Sequence, residues 1–253
     1  KENFSWFFAT YFTHYITCQT AEFQKAIMDL LQKDELLKVA ITAFRGSAKS
    51  TIATLAFPIW AMVGKPSKKY ALLVSQTQEL SKQILTNIKQ ELSSNELLMR
   101  DFGPFTEVAD EWRANSFVIP QYNARISAIS QSESIRGLRH RQYRPDLVII
   151  DDVEDLESVK TRENRDKLWD WFTGEAMPIG DVGTKIVVVG NLLHEDSLMM
   201  RLKENIVLGK MDGVYREYPL IDAKATIAWP GKYPTMKDIE VKRPEVADDT
   251  AWY

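Results

Sequence analysis

The strongest constraint on the fold is a set of short apolar runs at residues 39–44, 70–75, 147–150 and 185–190, set between longer amphipathic stretches. Leu147-Val148-Ile149-Ile150 contains no polar residue, and Ile186-Val187-Val188-Val189 is equally apolar. A strand with one face in water alternates apolar and polar side chains, whereas a strand covered on both faces reads as a continuous run. Such strands separated by helical segments build parallel sheets with helices on both sides. The sequence therefore predicts an α/β fold with a mainly parallel central sheet. Short strands at 116–119 and 125–129, joined as a hairpin, extend it. Helices are expected over 50–62, from Thr77 to about 92, from Thr161 through Phe172, and over 194–203. Residues 93–115 read as a polar, irregular insertion, and an end strand followed by a Pro-rich linker is expected after Gly213.

Composition narrows the function. Thirty-two Lys+Arg against thirty-five Asp+Glu leave a net charge of -3. Affinity for nucleic acid must come from a local patch, because the overall field is weakly repulsive. One cysteine, Cys18, excludes an internal disulfide, and three His with one Cys leave little material for a structural zinc. The longest apolar run, 52–63, is too short to cross a bilayer and contains Pro58, so no membrane association is expected. Residues 1–22 are rich in aromatics (Phe4, Trp6, Phe7, Phe8, Tyr11, Phe12, Tyr15). They lack the basic start of a secretory signal and are expected to dock on the core; a subunit contact is the alternative.

The most informative stretch is Ala43-Phe44-Arg45-Gly46-Ser47-Ala48-Lys49-Ser50-Thr51. It lies between a buried strand and a helix, where loop amides and a helix N-terminus can point at an anion. Lys49 is placed to reach the outer phosphates of a nucleotide, and the Ser50 hydroxyl to ligate Mg²⁺. Alanines stand where the usual pattern has framing glycines. Ala43 removes freedom at the start of the loop, and Ala48 is tolerable where the backbone has negative φ. A plain strand-to-helix turn with a solvated lysine has the same spacing, so the loop gains weight from the acidic and polar strand ends further along the chain.

The run at 147–150 ends in Asp151 and Asp152. A carboxylate at that strand end orders Mg²⁺ together with the loop hydroxyl, and a second acid polarises the attacking water. Asp152 is one candidate for that second role; Glu154 or Asp155 is the other. The strand at 185–190 ends in Asn191, on the edge beside the phosphate loop, where it can sense a γ-phosphate; an ordinary turn asparagine is the alternative. Arg136, Arg139, His140, Arg141 and Arg144 form a basic loop suited to DNA phosphates or to a nucleotide on a neighbouring subunit. A solvated loop is the bland reading.

With these residues assembled, the sequence resembles the ATPase domain of the large terminase subunit, the DNA-packaging motor of tailed bacteriophages, over roughly residues 20–205. The matching pieces are Phe23-Gln24, Arg45-Gly46-Ser47-Ala48-Lys49-Ser50-Thr51, Ser134-Ile135-Arg136-Gly137, Ile150-Asp151-Asp152-Val153-Glu154, and Gly190-Asn191-Leu192-Leu193-His194-Glu195-Asp196-Ser197-Leu198. The resemblance implies a three-layer P-loop NTPase (RecA/ASCE-like) that hydrolyses ATP with Mg²⁺ to move double-stranded DNA into a procapsid. It implies Gln24 on the adenine, Arg45 as an arginine finger acting within its own chain, and a coupling role for the segment that begins at Gly190. Its implied partners are DNA, further copies of itself in a ring on a capsid portal, and a small terminase subunit, in the host cytoplasm. Asp152 replaces the family's usual Glu, and Leu192-Leu193 replace polar or basic residues.

The expected organisation is therefore an aromatic segment at 1–22, a P-loop ATPase domain at 23–213, and an end strand with a linker at 214–253. The acids Asp238, Glu240, Glu245, Asp248 and Asp249 lie in a Pro-interrupted stretch without buried strands, so the family's nuclease activity is not expected here. Three rivals remain: a nucleotide-binding scaffold that does not hydrolyse, a helicase-like nucleic-acid ATPase, which needs a second RecA-like domain, and an α/β assembly protein with no nucleotide at all.

Overall fold

The computed structural model describes residues 2–105 and 112–241. Seven strands form one sheet: β1 Lys38–Ala43, β2 Tyr70–Ser75, β3 Ser116–Ile119, β4 Ala124–Ser130, β5 Leu147–Asp151, β6 Lys185–Gly190 and β7 Val214–Tyr218. Their order across the sheet is β3-β4-β2-β5-β6-β1-β7. All neighbours run parallel except the β3/β4 hairpin.

The apolar runs are continuous because both faces are covered. Val39 and Ile41 of β1, Leu147 and Ile149 of β5, and Val187 and Val189 of β6 enter one core; Ala40, Val148, Ile150, Ile186 and Val188 enter a second core on the opposite face. The first core is roofed by α1 Phe4–Tyr11, α2 Glu22–Gln32, α3 Phe57–Val63, α4 Gln78–Ser94 and α5 Glu96–Phe102. The second is roofed by α6 Arg162–Trp171 and α7 Leu198–Val207.

The aromatic segment is core. Phe4, Phe7 and Phe12 are fully buried, with the Phe4 ring 5.3 Å from Phe57 and the Phe7 ring 5.7 Å from Phe102. Only Trp6 and Tyr15 stay notably exposed.

Three expectations need correction. Residues 96–102 form α5 within the supposed irregular insertion. Asn95 ends α4 and its side chain caps the next helix through the Leu98 amide, while Leu98 and Phe102, four apart, bury one face. The helix after the phosphate loop begins as a π-helical turn, Thr51–Ala56, and becomes α3 only at Phe57. Pro58 has no N–H for the ordinary ladder, so the backbone ahead of it takes the wider register. Finally, α7 starts at Leu198 rather than at His194, because Ser197 is the residue that caps it.

Residues 219–241 come after β7 but do not run free. Trp229 is buried, and its indole N–H donates to the Gln19 carbonyl at 2.8 Å. A short helix, α8 Met236–Glu240, is capped by Asp238, whose carboxylate accepts from the Thr235 amide and hydroxyl. Of the five acids of the Pro-interrupted stretch, Glu245, Asp248 and Asp249 lie outside the described residues.

Candidate nucleotide site

Strand order brings the motifs together. β6 lies between β5 and β1, and Asp151 is in register with Val189 while Thr42 faces Gly190. The phosphate loop, the two aspartates and Asn191 therefore leave the same edge of three adjacent parallel strands, the edge where such sheets bind ligands.

Lys49 is buried, 6% exposed, and its Nζ donates to Asn191 Oδ1 at 3.1 Å and lies 3.3 Å from Asp152 Oδ2. Asn191 Nδ2 completes the ring by donating to Asp152 Oδ1 at 3.2 Å. Asp152 reaches this position with φ at +44°, a left-handed conformation that aspartate tolerates better than most residues. Beside it, the Ser50 hydroxyl donates to Asp151 Oδ1 at 3.1 Å, and the Thr54 hydroxyl to Asp151 Oδ2 at 2.7 Å. Burial pushes the Asp151 carboxyl up to about 6, the neighbouring Asp152 charge adds to this, and the Thr54, Lys49 and Ser50 contacts oppose it.

The loop is strained where its pattern departs from glycine. Gly46 has φ at +74° and Ala48 has φ at +67°. The condition under which an alanine is tolerated at 48, a negative φ, is not met, and a β-carbon makes the left-handed turn there costly by about 1 kcal/mol. The Ser47 hydroxyl is fully buried and has no hydrogen-bond partner. Thr51 opens the π-helical turn behind the loop. Arg45 is exposed on the loop, and no carboxylate among the described residues pairs with it.

Gln24 is buried and both ends of its amide are engaged: Nε2 donates to the Ser47 carbonyl at 2.9 Å, and Oε1 accepts from the Ala21 amide at 2.9 Å. It braces the phosphate loop from α2. Glu154 turns away from Lys49 and accepts from the Leu198 and Met199 amides at 2.6 and 3.5 Å, a carboxylate on the N-terminus of α7. Burial pushes its carboxyl up, and those two amide bonds oppose the rise. Asp155 is tied to Gln76 and to the Ser158 amide.

The segment between Asn191 and α7 is held by a charge network. Asp196 accepts from Arg201 Nε at 2.7 Å and from Arg165 Nε at 2.9 Å, and Arg201 also reaches Asp166 at 2.7 Å. The Arg201 guanidinium, with Arg165 behind it, holds the Asp196 carboxyl well below the usual carboxylate range. The basic loop stands apart. Arg136 donates to Glu175 at 3.1 Å, Arg139 and Arg141 are exposed, and no hydrogen bond or ion pair among the described residues joins any of the three to the phosphate loop.

One solved structure, described as the HK97 bacteriophage large terminase, aligns with a TM-score of 0.60 at 13% identity, covering 91% of this chain. The chain has the fold of a large terminase. It spans about half the length of that terminase, 48%. What the alignment shares is the architecture, a mainly parallel central sheet with helices on both faces. S. cerevisiae Dbp5 in complex with Nup159, Gle1, IP6 and ADP aligns with a TM-score of 0.48 at 12% identity over 84% of this chain and 51% of its own. A DEAD-box protein from the hyperthermophile Methanococcus jannaschii aligns at 0.44 and 16%, over 79% and 49%. A scan against protein-family models finds no match, and neither does a search of curated proteins. No helix among the described residues is long and apolar enough to cross a membrane.

Thr54 is the site residue that sequence reading missed. It lies inside an apolar helical stretch four residues after Ser50, and the two hydroxyls reach the two oxygens of Asp151. Thr54→Val keeps the shape and removes one of the bonds that favour the ionised Asp151. With Asp151 read as a magnesium ligand of an ATPase, as the sequence leads one to expect, the expected result is a tenfold to hundredfold rise in the Mg²⁺ concentration for half-maximal turnover, roughly the cost of losing an outer partner of such a ligand. A magnesium titration of wild type and variant checks it, and an unchanged midpoint would show that Thr54 is only packing.

Proposed function

We propose that this chain is the ATP-hydrolysing domain of a DNA-packaging motor of the large terminase kind. The observation that carries the reading is the convergence on one sheet edge of two bonded groups, Lys49 with Asn191 and Asp152, and Ser50 with Asp151.

The residues present fit a nucleotide and a magnesium ion. The Ser50 hydroxyl and Asp151 carboxylate already meet, as two oxygen donors for a hard cation should, and the buried Ser47 hydroxyl has a hydrogen bond left to make. Ser50 and Asp151 would hold Mg²⁺, which supplies neutralisation of phosphate charge. The loop from Arg45 to Thr51, with its left-handed turns at Gly46 and Ala48, would present amides to the phosphates. Lys49 would exchange Asp152 for phosphate oxygens, which frees Asp152 to take a proton from the attacking water. Arg45 would neutralise charge developing on the terminal phosphate. Asn191, bonded to both Lys49 and Asp152, would report the exchange toward α7, whose first amides are held by Glu154. Gln24 would act on the nucleotide through the loop it braces.

The remaining roles rest on the likeness to a large terminase: action on double-stranded DNA, a ring of copies on a portal, a small terminase subunit as partner, and work in the host cytoplasm. Arg136, Arg139 and Arg141 supply a basic surface for DNA or a neighbouring subunit. The non-hydrolysing scaffold has one observation in its favour, because Glu154 is committed to α7 and leaves Asp152, among the described residues, as the second acid bonded to Lys49.

Phosphate release from ATP, measured with and without Mg²⁺ and with and without double-stranded DNA, tests the proposal. Mg²⁺-dependent turnover that DNA accelerates is expected. Nucleotide binding with no turnover under any condition would favour the scaffold, and no binding would remove the nucleotide site altogether.

A further inference from the structure

The segment after β7 returns to the phosphate loop and delivers a cation to it. Trp229 anchors the segment: its ring lies 6.1 Å from that of Phe23, and its indole is bonded to Gln19. Gly231 packs so closely that a β-carbon there would meet the Gln19 backbone at 3.0 Å. Next to these anchors, Lys232 Nζ donates to the Gly46 carbonyl at 2.8 Å. The same ammonium lies 4.9 Å from the Trp229 ring centroid and 5.5 Å from that of Tyr233. Two aromatic faces and a neutral carbonyl hold it in place, and no carboxylate among the described residues pairs with it.

That placement is unusual for a lysine with a purely structural task. An ammonium carries three donors, and one is spent on Gly46, so two remain. They sit against the loop whose amides collect an anion, next to the exposed Arg45. A phosphate entering the loop would meet a positive charge that is already fixed in position, which lowers the ordering cost of the contact.

We propose that Lys232 is a phosphate-binding residue of the nucleotide site, contributed by the C-terminal segment and positioned by Trp229 and Tyr233. The inference rests on the nucleotide site of the proposed function and extends it to a residue far along the chain from the loop. Residues 219–241 thereby become part of the ATP pocket, and their placement is tied to its occupancy.

Titration calorimetry of the full 253-residue chain with Mg²⁺-ATP tests this, using wild type, Lys232→Met and Lys232→Arg. Lys232→Met is expected to weaken ATP about tenfold or more, the loss of one charge-assisted bond, while Lys232→Arg stays within about threefold of wild type. ATP binding at wild-type affinity in Lys232→Met would overturn the inference and leave Lys232 as a tie between segment and loop. Equal weakening in both variants would also overturn it, because a packing role fails with either change. Should Lys232→Met not fold, Lys232→Gln keeps a donor for the Gly46 carbonyl without the charge, and the same weakening is required of it. If wild type binds ATP in none of these titrations, this inference falls together with the nucleotide site it rests on.

Discussion

Lys49→Ala is expected to lower ATP turnover by about a thousandfold or more, to the level of background hydrolysis. The size comes from what the side chain does in two states. Without nucleotide, its ammonium is the cation between Asp152 and Asn191 and opposes the upward shift of Asp151. In the proposed mechanism it carries this buried positive charge to the phosphates, where losing one fixed electrostatic contact costs about 10²–10³ in rate. Removing it also leaves two adjacent carboxylates unopposed, and these repel the incoming phosphates, so KM should rise as kcat falls. Steady-state phosphate release at saturating Mg²⁺-ATP gives the rate, and circular dichroism confirms that the variant is folded. Turnover within tenfold of wild type would mean that hydrolysis occurs elsewhere.

Asp152 and Glu154 should part company under substitution. Asp152→Ala is expected to reduce kcat by about a hundredfold to ten-thousandfold, the range that general-base catalysis supplies. Its ATP affinity should hold or improve, because Lys49 no longer has to leave an ion partner. Glu154→Gln should keep kcat within tenfold and instead lower stability by about 1 kcal/mol, since it removes a charge from the start of α7. The decisive measurement is the pair of kcat values beside denaturant midpoints. A large kcat loss in Glu154→Gln with a small one in Asp152→Ala would reverse the assignment and require the α7 amides to release Glu154 during turnover.

The sheet and most of the site were legible in the sequence for one reason. Strands covered on both faces are written as unbroken apolar runs, so the first polar residue after each run marks the working edge of the sheet. Asp151 and Asn191 are such residues, and the loop at 44–50 starts at the same kind of boundary. The residues that escaped had no such marker. Thr54 sits in a stretch whose neighbours are apolar, and its partner Asp151 is 97 residues away along the chain. Lys232 lies in a segment without hydrophobic period, placed by the bond of Trp229 to Gln19 and of Lys232 itself to Gly46, which nothing local encodes. The left-handed turn at Ala48 runs against the residue's own preference and is imposed by the loop around it.

The arrangement β5-β6-β1 has a consequence for how the chain matures. Lys49 and Asn191 are 142 residues apart, and Ser50 and Asp151 are 101 apart. No short fragment of the chain holds the site, and distant parallel pairings of this kind are the slow part of folding. With the nucleotide site as proposed, affinity for ATP would belong to the folded molecule alone, and a hundredfold excess over Kd would bias the folding equilibrium by about 2.7 kcal/mol. On that reading, a nucleotide bound at this edge is a report that β5, β6 and β1 have met.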